Sequence, residues 1–161
     1  MNIDAITIRP HKAGEASYVS FLQMNFYART YGFKPAFEYY LLTAMAEFIA
    51  SPAGSQIWVA LDGEKLVGSI AIVRTEPHTA QLRWFMTDAA YQGYGIGRKL
   101  METALRFCEE QGYAHVFLWT LESLTGARHL YEAYGFAPTE QKPNTEWSTE
   151  RLIEERWELT L

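Results

Sequence analysis

Between Tyr91 and Leu100 the chain reads YQGYGIGRKL, with Gly93, Gly95 and Gly97 at alternate positions and Arg98 and Lys99 directly behind them. Glycine carries an entropic cost in ordered backbone, so a run of them implies that something needs the missing side chains. The stretch follows an extended segment and opens one of helical period. Such a turn presents unpaired N–H groups at the positive end of a helix dipole, which favours a phosphate. Arg98 and Lys99 place positive charge where it opposes that dipole, and a bound anion would account for them.

Three phosphate-binding patterns compete for this stretch. A P-loop requires G-x-x-x-x-G-K-[ST], which is absent. The dinucleotide fingerprint G-x-G-x-x-G fails, because its third glycine falls on Arg98 or on Leu100, and the next extended segment ends in Thr120 without the acidic residue. The third, Q/R-x-x-G-x-G/A, is met by Gln92, Gly95 and Gly97.

The elements that must hold this turn can be read from hydrophobic period. AITIRP alternates and stops at Pro10, as a short strand does. Residues 14–31 place Tyr18, Val19, Leu22 and Phe26 at helical spacing. FEYYLLTAMAEFIAS repeats this with Phe37, Leu41, Met45 and Phe48, ending before Pro52, while Gly32 and Pro35 lie between the two helices. QIWVALDGEKLVGSIAIVRT reads as two strands around an Asp62-Gly63 turn, and TAQLRWFMTD as a third, forming an antiparallel meander. A helix is expected from about Gly97 to Gln111, stopped by Gly112. AHVFLWT then reads as a buried strand, parallel to its predecessor through a β-α-β crossover. LTGARHLYEAYGF gives a helix ended by Gly135, QKPNTEWSTE a polar loop, and RWELTL a closing strand. The fold class expected is α+β, a mixed α/β layer with one crossover helix near its centre.

At 161 residues the chain is expected to form one domain, residues 1–161. Its net charge of -5 offers no basic footprint for nucleic acid. The single cysteine, Cys108, cannot form an internal disulfide, and no Cys/His pair has zinc spacing, so no metal is expected. MNIDAITIRP lacks the basic start and apolar run of a signal peptide, and no segment nears the ~20 apolar residues of a membrane helix. A cytoplasmic protein without a membrane partner is the expectation.

With its meander, glycine turn, crossover helix, buried strand and LYEAYGF, the chain resembles the GNAT N-acetyltransferase superfamily over essentially its whole length. QLRWFMTD, GIGRKL, LWT, LTGARHLYEAYGF and WELTL further resemble the acetyltransferase domain fused behind MarR-type winged-helix regulators. Here the domain begins at Met1, so a stand-alone relative is expected. The resemblance implies a central, mostly antiparallel sheet with helices on both faces and acetyl-CoA as co-substrate. It also implies an amine acceptor, either a small molecule or a peptide, and homodimers are common in the family.

Carried over residue by residue, the resemblance places the pantetheine arm on a splayed segment at Phe85, Met86 and Thr87. It puts the pyrophosphate on the amides of Gln92, Gly93, Tyr94, Gly95, Ile96 and Gly97, with Arg98 nearby. Thr87 stands where the family prefers an apolar β-branched residue. Tyr131 falls on the tyrosine that protonates the leaving thiolate in many relatives, and a phenol of pKa near ~10 suits that task. Leu124 stands where the family often has an asparagine that contacts the pantetheine. Direct attack by the amine in a ternary complex is expected.

The base is left open among Glu76, His78 and Glu122, each of which also reads as a solvated loop residue. His11, His115 and His129 read as surface or packing residues, and Cys108 as core. The first two helices hold more aromatic residues than one face can bury, and Tyr27, Tyr31 and Phe33 are the expected lining of the acceptor site. Two other functions fit the same fold: a non-catalytic coenzyme A-binding sensor, and an interaction module that binds no coenzyme.

Overall fold

In the computed structural model, which describes residues 2–161, a first strand β1 (Ile6–Pro10) leads into helices α1 (Glu15–Tyr31) and α2 (Pro35–Ala50). The meander follows as β2 (Gln56–Asp62), β3 (Lys65–Glu76) and β4 (Thr79–Thr87). Helix α3 (Ile96–Gln111) crosses to β5 (His115–Leu121), α4 (Thr125–Ala133) comes next, and β6 (Ala137–Asn144) and β7 (Leu152–Thr160) close the chain. The strands form one seven-stranded sheet in the order β1-β2-β3-β4-β5-β7-β6. β4 and β5 are parallel, and every other neighbouring pair is antiparallel. The mixed sheet expected from the sequence is therefore present, with α3 as its crossover.

Helices cover both faces. On one, α3 sinks Leu100, Met101, Ala104 and Cys108 into a layer with Ile70, Ile72, Val116, Leu118 and Trp157. On the other, Phe37, Leu41, Met45 and Phe48 of α2 and Val19 of α1 pack on Ile57, Val59, Ala71 and Trp84. Each aliphatic side chain buried this way contributes roughly 1.5–3 kcal/mol.

Three boundaries differ from the sequence reading, and one segment changes class. α2 begins at Pro35, whose fixed φ and missing N–H suit the first helical position. α3 begins one residue early, at Ile96. The polar loop expected at QKPNTEWSTE is incorrect at its start, because residues 141–144 belong to β6. That strand is at the sheet edge and exposes nearly all of its side chains, so it has no apolar alternation to betray it. An edge also tolerates Pro138 and Pro143. Likewise β7 starts at Leu152, four residues before the expected RWELTL.

Two irregularities prepare the functional region. β4 pairs with β5 only from Thr79 to Gln81, opposite His115 to Phe117, yet runs on to Thr87. The two strands splay beyond that point. A bulge in β4 lies at the divergence, where the register with β3 skips between Ser69↔Met86 and Ala71↔Arg83. Trp84 sits there at φ 47, a conformation few non-glycine residues adopt. The buried Ser69 hydroxyl holds it by donating to the Trp84 carbonyl at 2.7 Å.

α4 is tied to β7 by Arg128 and the buried Glu155. Arg128 Nε lies 2.8 Å from Oε1. The Nε–H does not point along that line, and the hydrogen bond between the two comes instead from Arg128 Nη2, which donates to Oε2 at 3.4 Å. Gln141 and Trp157 donate to the same carboxylate at 2.8 and 3.3 Å. Arg128→Ala leaves that buried charge without its cation. A loss of about 3 kcal/mol in urea denaturation is expected, the low end for breaking a buried pair. The remaining two donors keep it from being larger.

Candidate active site

The turn between β4 and α3 is braced from below and open above. Asp88 caps its 3-10 turn, accepting the Ala90 N–H at 2.9 Å. Tyr91 donates its hydroxyl to Asp62 at 2.8 Å, and the Lys65 ammonium lies 5.0 Å over the Tyr91 ring. The Gln92 amide reaches back to the Thr87 carbonyl at 3.2 Å. Gly93 and Gly95 have φ of +85 and +89, and a Cβ on either would meet nothing within 4 Å. Both glycines are therefore demanded by backbone conformation and face open space. Gly95 is the N-cap of α3, and no side chain caps that helix, so its first N–H groups lack side-chain partners. Ile96 buries its side chain, so it can offer a ligand only its N–H. Tyr94 and Arg98 are exposed at the rim.

Gly97 looks along a different direction. A Cβ there would lie 3.5 Å from both Phe85 and Leu130 and 3.8 Å from the Thr87 hydroxyl, ordinary contacts that bridge β4, α3 and α4. Phe85, Met86 and Thr87 are half-buried on the splayed arm of β4. The side of β4 that faces β5 has no strand partner from Leu82 to Thr87, which leaves main-chain groups free for a ligand.

Tyr131 is buried across the gap on α4, with its ring 6.2 Å from Phe85, 6.0 Å from Phe136 and 6.2 Å from Trp157. Its hydroxyl has no hydrogen-bond partner among the described residues. Burial pushes its pKa up, and the nearby Tyr27 adds to the shift. Tyr27, on α1, is itself pushed up to about 12, first by burial and then by Tyr31. The fold thus brings the phenols of α1 and α4 within electrostatic reach of each other, although they lie far apart in sequence. Leu124 is the N-cap of α4 and supplies no cap bond.

A cleft of about 110 Å³ opens where β4 and β5 part, on the α1–α2 face. Tyr27, Phe33, Arg83, Trp84, Trp119 and Glu154 are among its walls. Tyr27 and Phe33 stack at 4.9 Å. Tyr31 is placed differently: its hydroxyl bonds Ser123 at 2.9 Å, joining the end of α1 to the loop before α4. Phe21 and Tyr39 point outward, 61% and 76% exposed, which shows how two helices carry more aromatics than the core needs.

Glu76 and His78 sit at the β3–β4 turn, at the end where β4 and β5 still pair. Glu122 is exposed. The acid within the cleft is instead Glu154, which the sequence reading passed over. The signal was present: β alternation carried back from Trp157 places Glu155 on Trp157's face and Glu154 on the opposite one. Cys108 is buried and its thiol is pushed up to about 12 by burial, which makes it a poor nucleophile. Among the described residues no cluster of His, Cys, Asp or Glu could hold a metal ion. No helix there is long and apolar enough to cross a membrane.

The profile of the Acetyltransferase (GNAT) family matches residues 21–136. Human N-acetyltransferase 8B is 34% identical over 109 residues, covering 65% of this chain and 47% of that protein. The chain spans about half the length of the curated relatives it matches. Among solved structures, an acetyltransferase from Streptococcus agalactiae aligns with a TM-score of 0.76 at 22% identity, covering 99% of this chain and 100% of that one. The Salmonella typhimurium protein yncA, solved with its cofactor acetyl-CoA, aligns with a TM-score of 0.75 at 18% identity over 98% and 94% of the two chains. At such identities these structures speak to the fold.

Proposed function

The chain belongs to the GNAT acetyltransferase family, and on that premise we propose that it moves an acetyl group from acetyl-CoA to a primary amine of a small molecule or peptide. The observation that carries this reading is the splay of β4 from β5 beside a glycine turn whose amides are uncapped. A phosphate-bearing thioester fits both features. The turn offers N–H groups and the Arg98 charge to a pyrophosphate, and the unpaired edge of β4 offers main-chain bonds to an amide-rich arm. The open space above Gly93 and Gly95 supports the fit, because a side chain there would fill it.

In this reading the amides of residues 92–97 hold the diphosphate. Phe85, Met86 and Thr87 align the arm, so that the thioester lies in the gap. Acetyl-CoA supplies the activated acyl group. A main-chain N–H on the splayed strand polarises the acyl oxygen. Tyr131 gives its proton to the departing thiolate. The amine enters from the aromatic cleft and attacks directly, in a ternary complex, with Tyr27 and Phe33 against its body. Cys108 takes no part.

The test has two steps. Calorimetric titration with acetyl-CoA is expected to show one site per chain, and no binding would overturn the proposal. An amine panel followed by free-thiol release is then expected to show turnover. Binding without turnover on any amine would point instead to a coenzyme A sensor.

A further inference from the structure

We infer that Glu154 is the cation anchor of the acceptor cleft, so that the acceptor is a protonated amine with an apolar or aromatic body. The inference rests on the acetyltransfer reading and adds the class of acceptor to it. Glu154 is 7% exposed and lines the cleft, the one acidic side chain to do so. Asn144 donates to its Oε2 at 3.2 Å. Among the described residues no Lys, Arg or His nitrogen comes within 4.0 Å of the carboxylate. Its neighbour Glu155 shows the contrast, held by a cation and two further donors on the other face of the sheet.

A buried carboxylate without a cation is an unstable arrangement unless a ligand supplies one. The cation nearest in register makes no ion pair with the carboxylate. Lys142 stands opposite Glu154 across β6 and β7, yet its ammonium lies 4.4 Å over the Trp119 ring. Arg83, on the β4 wall, is spread over Tyr40 and Trp84 at 5.5 and 5.2 Å. The cleft is therefore polar end to end, basic on the β4 side and acidic on the β7 side, with aromatic walls between. An ammonium is attracted to one end and repelled from the other.

The acidic end is also built. The Asn144 side-chain Oδ1 accepts the N–H groups of Glu146 and Trp147 at 2.9 and 3.2 Å while its Nδ2 donates to Glu154. Trp147 lines the cleft, and its own carbonyl accepts the Lys34 N–H at 2.7 Å. One asparagine thus fixes both the carboxylate and an aromatic wall, and the β6–β7 loop is fastened to the start of α2. Aromatic faces around a cation add to its attraction.

The chemistry balances. The ammonium gives one proton to Glu154, and the freed nitrogen forms the C–N bond as the C–S bond breaks. The thiolate takes the Tyr131 proton, the phenolate recovers one from the new amide nitrogen, and Glu154 releases its proton to solvent.

The test uses the full chain with coenzyme A present and follows tryptophan fluorescence, since Trp84, Trp119 and Trp147 line the cleft. The probes are 2-phenylethylamine and 2-phenylethanol, which differ by the charge. The wild type is expected to bind the amine at least about tenfold more tightly than the alcohol, the factor that one hydrogen bond to a charged group of about 1.5 kcal/mol supplies. Glu154→Gln, which keeps shape and the Asn144 contact, is expected to erase that preference while leaving coenzyme affinity unchanged and Tm equal to or above that of the wild type. In turnover the same variant is expected to raise KM for cationic amines and to lower kcat, because the amide cannot take the proton that the ammonium must lose. Equal binding of the two probes by the wild type, or a preference that survives Glu154→Gln, would overturn the inference. A charge preference that depends on Glu154 without any acetyl transfer would support the anchor and defeat the acetyltransfer reading.

Discussion

Gly95→Val is expected to weaken acetyl-CoA binding by about a hundredfold or more in calorimetry. Two effects act at this residue and can be separated. The backbone sits at φ +89, where a branched side chain is strained whatever the space around it. Such strain amounts to about 1–3 kcal/mol and lowers stability in any assay. The second effect concerns the ligand. Nothing in the protein lies within 4 Å of a Cβ here, so valine fills the space proposed for the diphosphate without colliding with the chain itself. Losing two charge-assisted bonds of about 1.5 kcal/mol each already gives the expected factor. Gly112 supplies the control. It ends α3 at φ +76, also with nothing within 4 Å. Gly112→Val carries comparable strain at the far end of the same helix. Both variants are expected to lose similar Tm, and only Gly95→Val to lose the coenzyme. Equal affinities in the two would remove the turn from the binding site.

The turn is legible in the sequence because its glycines break one period and a new one starts after them. What is legible there is chemical type. That Gly93 and Gly95 both hold positive φ, whereas Gly97 does not, is set by the path of the chain and becomes visible only in the structure. The meander and the crossover read well because β3 is a continuous buried run from Leu66 to Ile72 and α3 buries one clear face. β6 does not, because an exposed edge strand is defined by main-chain pairing with β7, to which its side chains contribute little. The missed start of β7 had a cost in function, since Glu154 lies in those missing residues. A buried carboxylate looks like surface in a sequence unless the strand around it has been placed first. The splay is harder still. No residue between Leu82 and Thr87 announces that β5 turns away, and the Trp84 bulge depends on the Ser69 hydroxyl from another strand.

Tyr131→Phe is expected to lower kcat by about a hundredfold, the modest end of general acid catalysis, with acetyl-CoA affinity within about twofold of wild type. The ring contacts with Phe85, Phe136 and Trp157 survive this change, and the hydroxyl gives up no hydrogen bond within the protein. Packing therefore predicts almost no loss, and proton donation predicts a large one. The pH profile adds an independent reading. Burial and Tyr27 hold the Tyr131 pKa above its ordinary value, so the proton is retained to higher pH than in a free phenol. The sign follows: no alkaline fall in kcat should come from this group below about pH 10. A wild-type kcat that falls with an apparent pKa well below that value would assign the loss to another group. Equal losses of kcat and coenzyme affinity in Tyr131→Phe would make the residue a wall of the site, and the thiolate would then take its proton from water or from a group on the α1 side. Tyr27 is the candidate for that second role, because the fold sets its phenol close enough to Tyr131 to raise that residue's pKa. Tyr27→Phe in the Tyr131→Phe background is then expected to lower kcat further only if Tyr27 is the substitute donor.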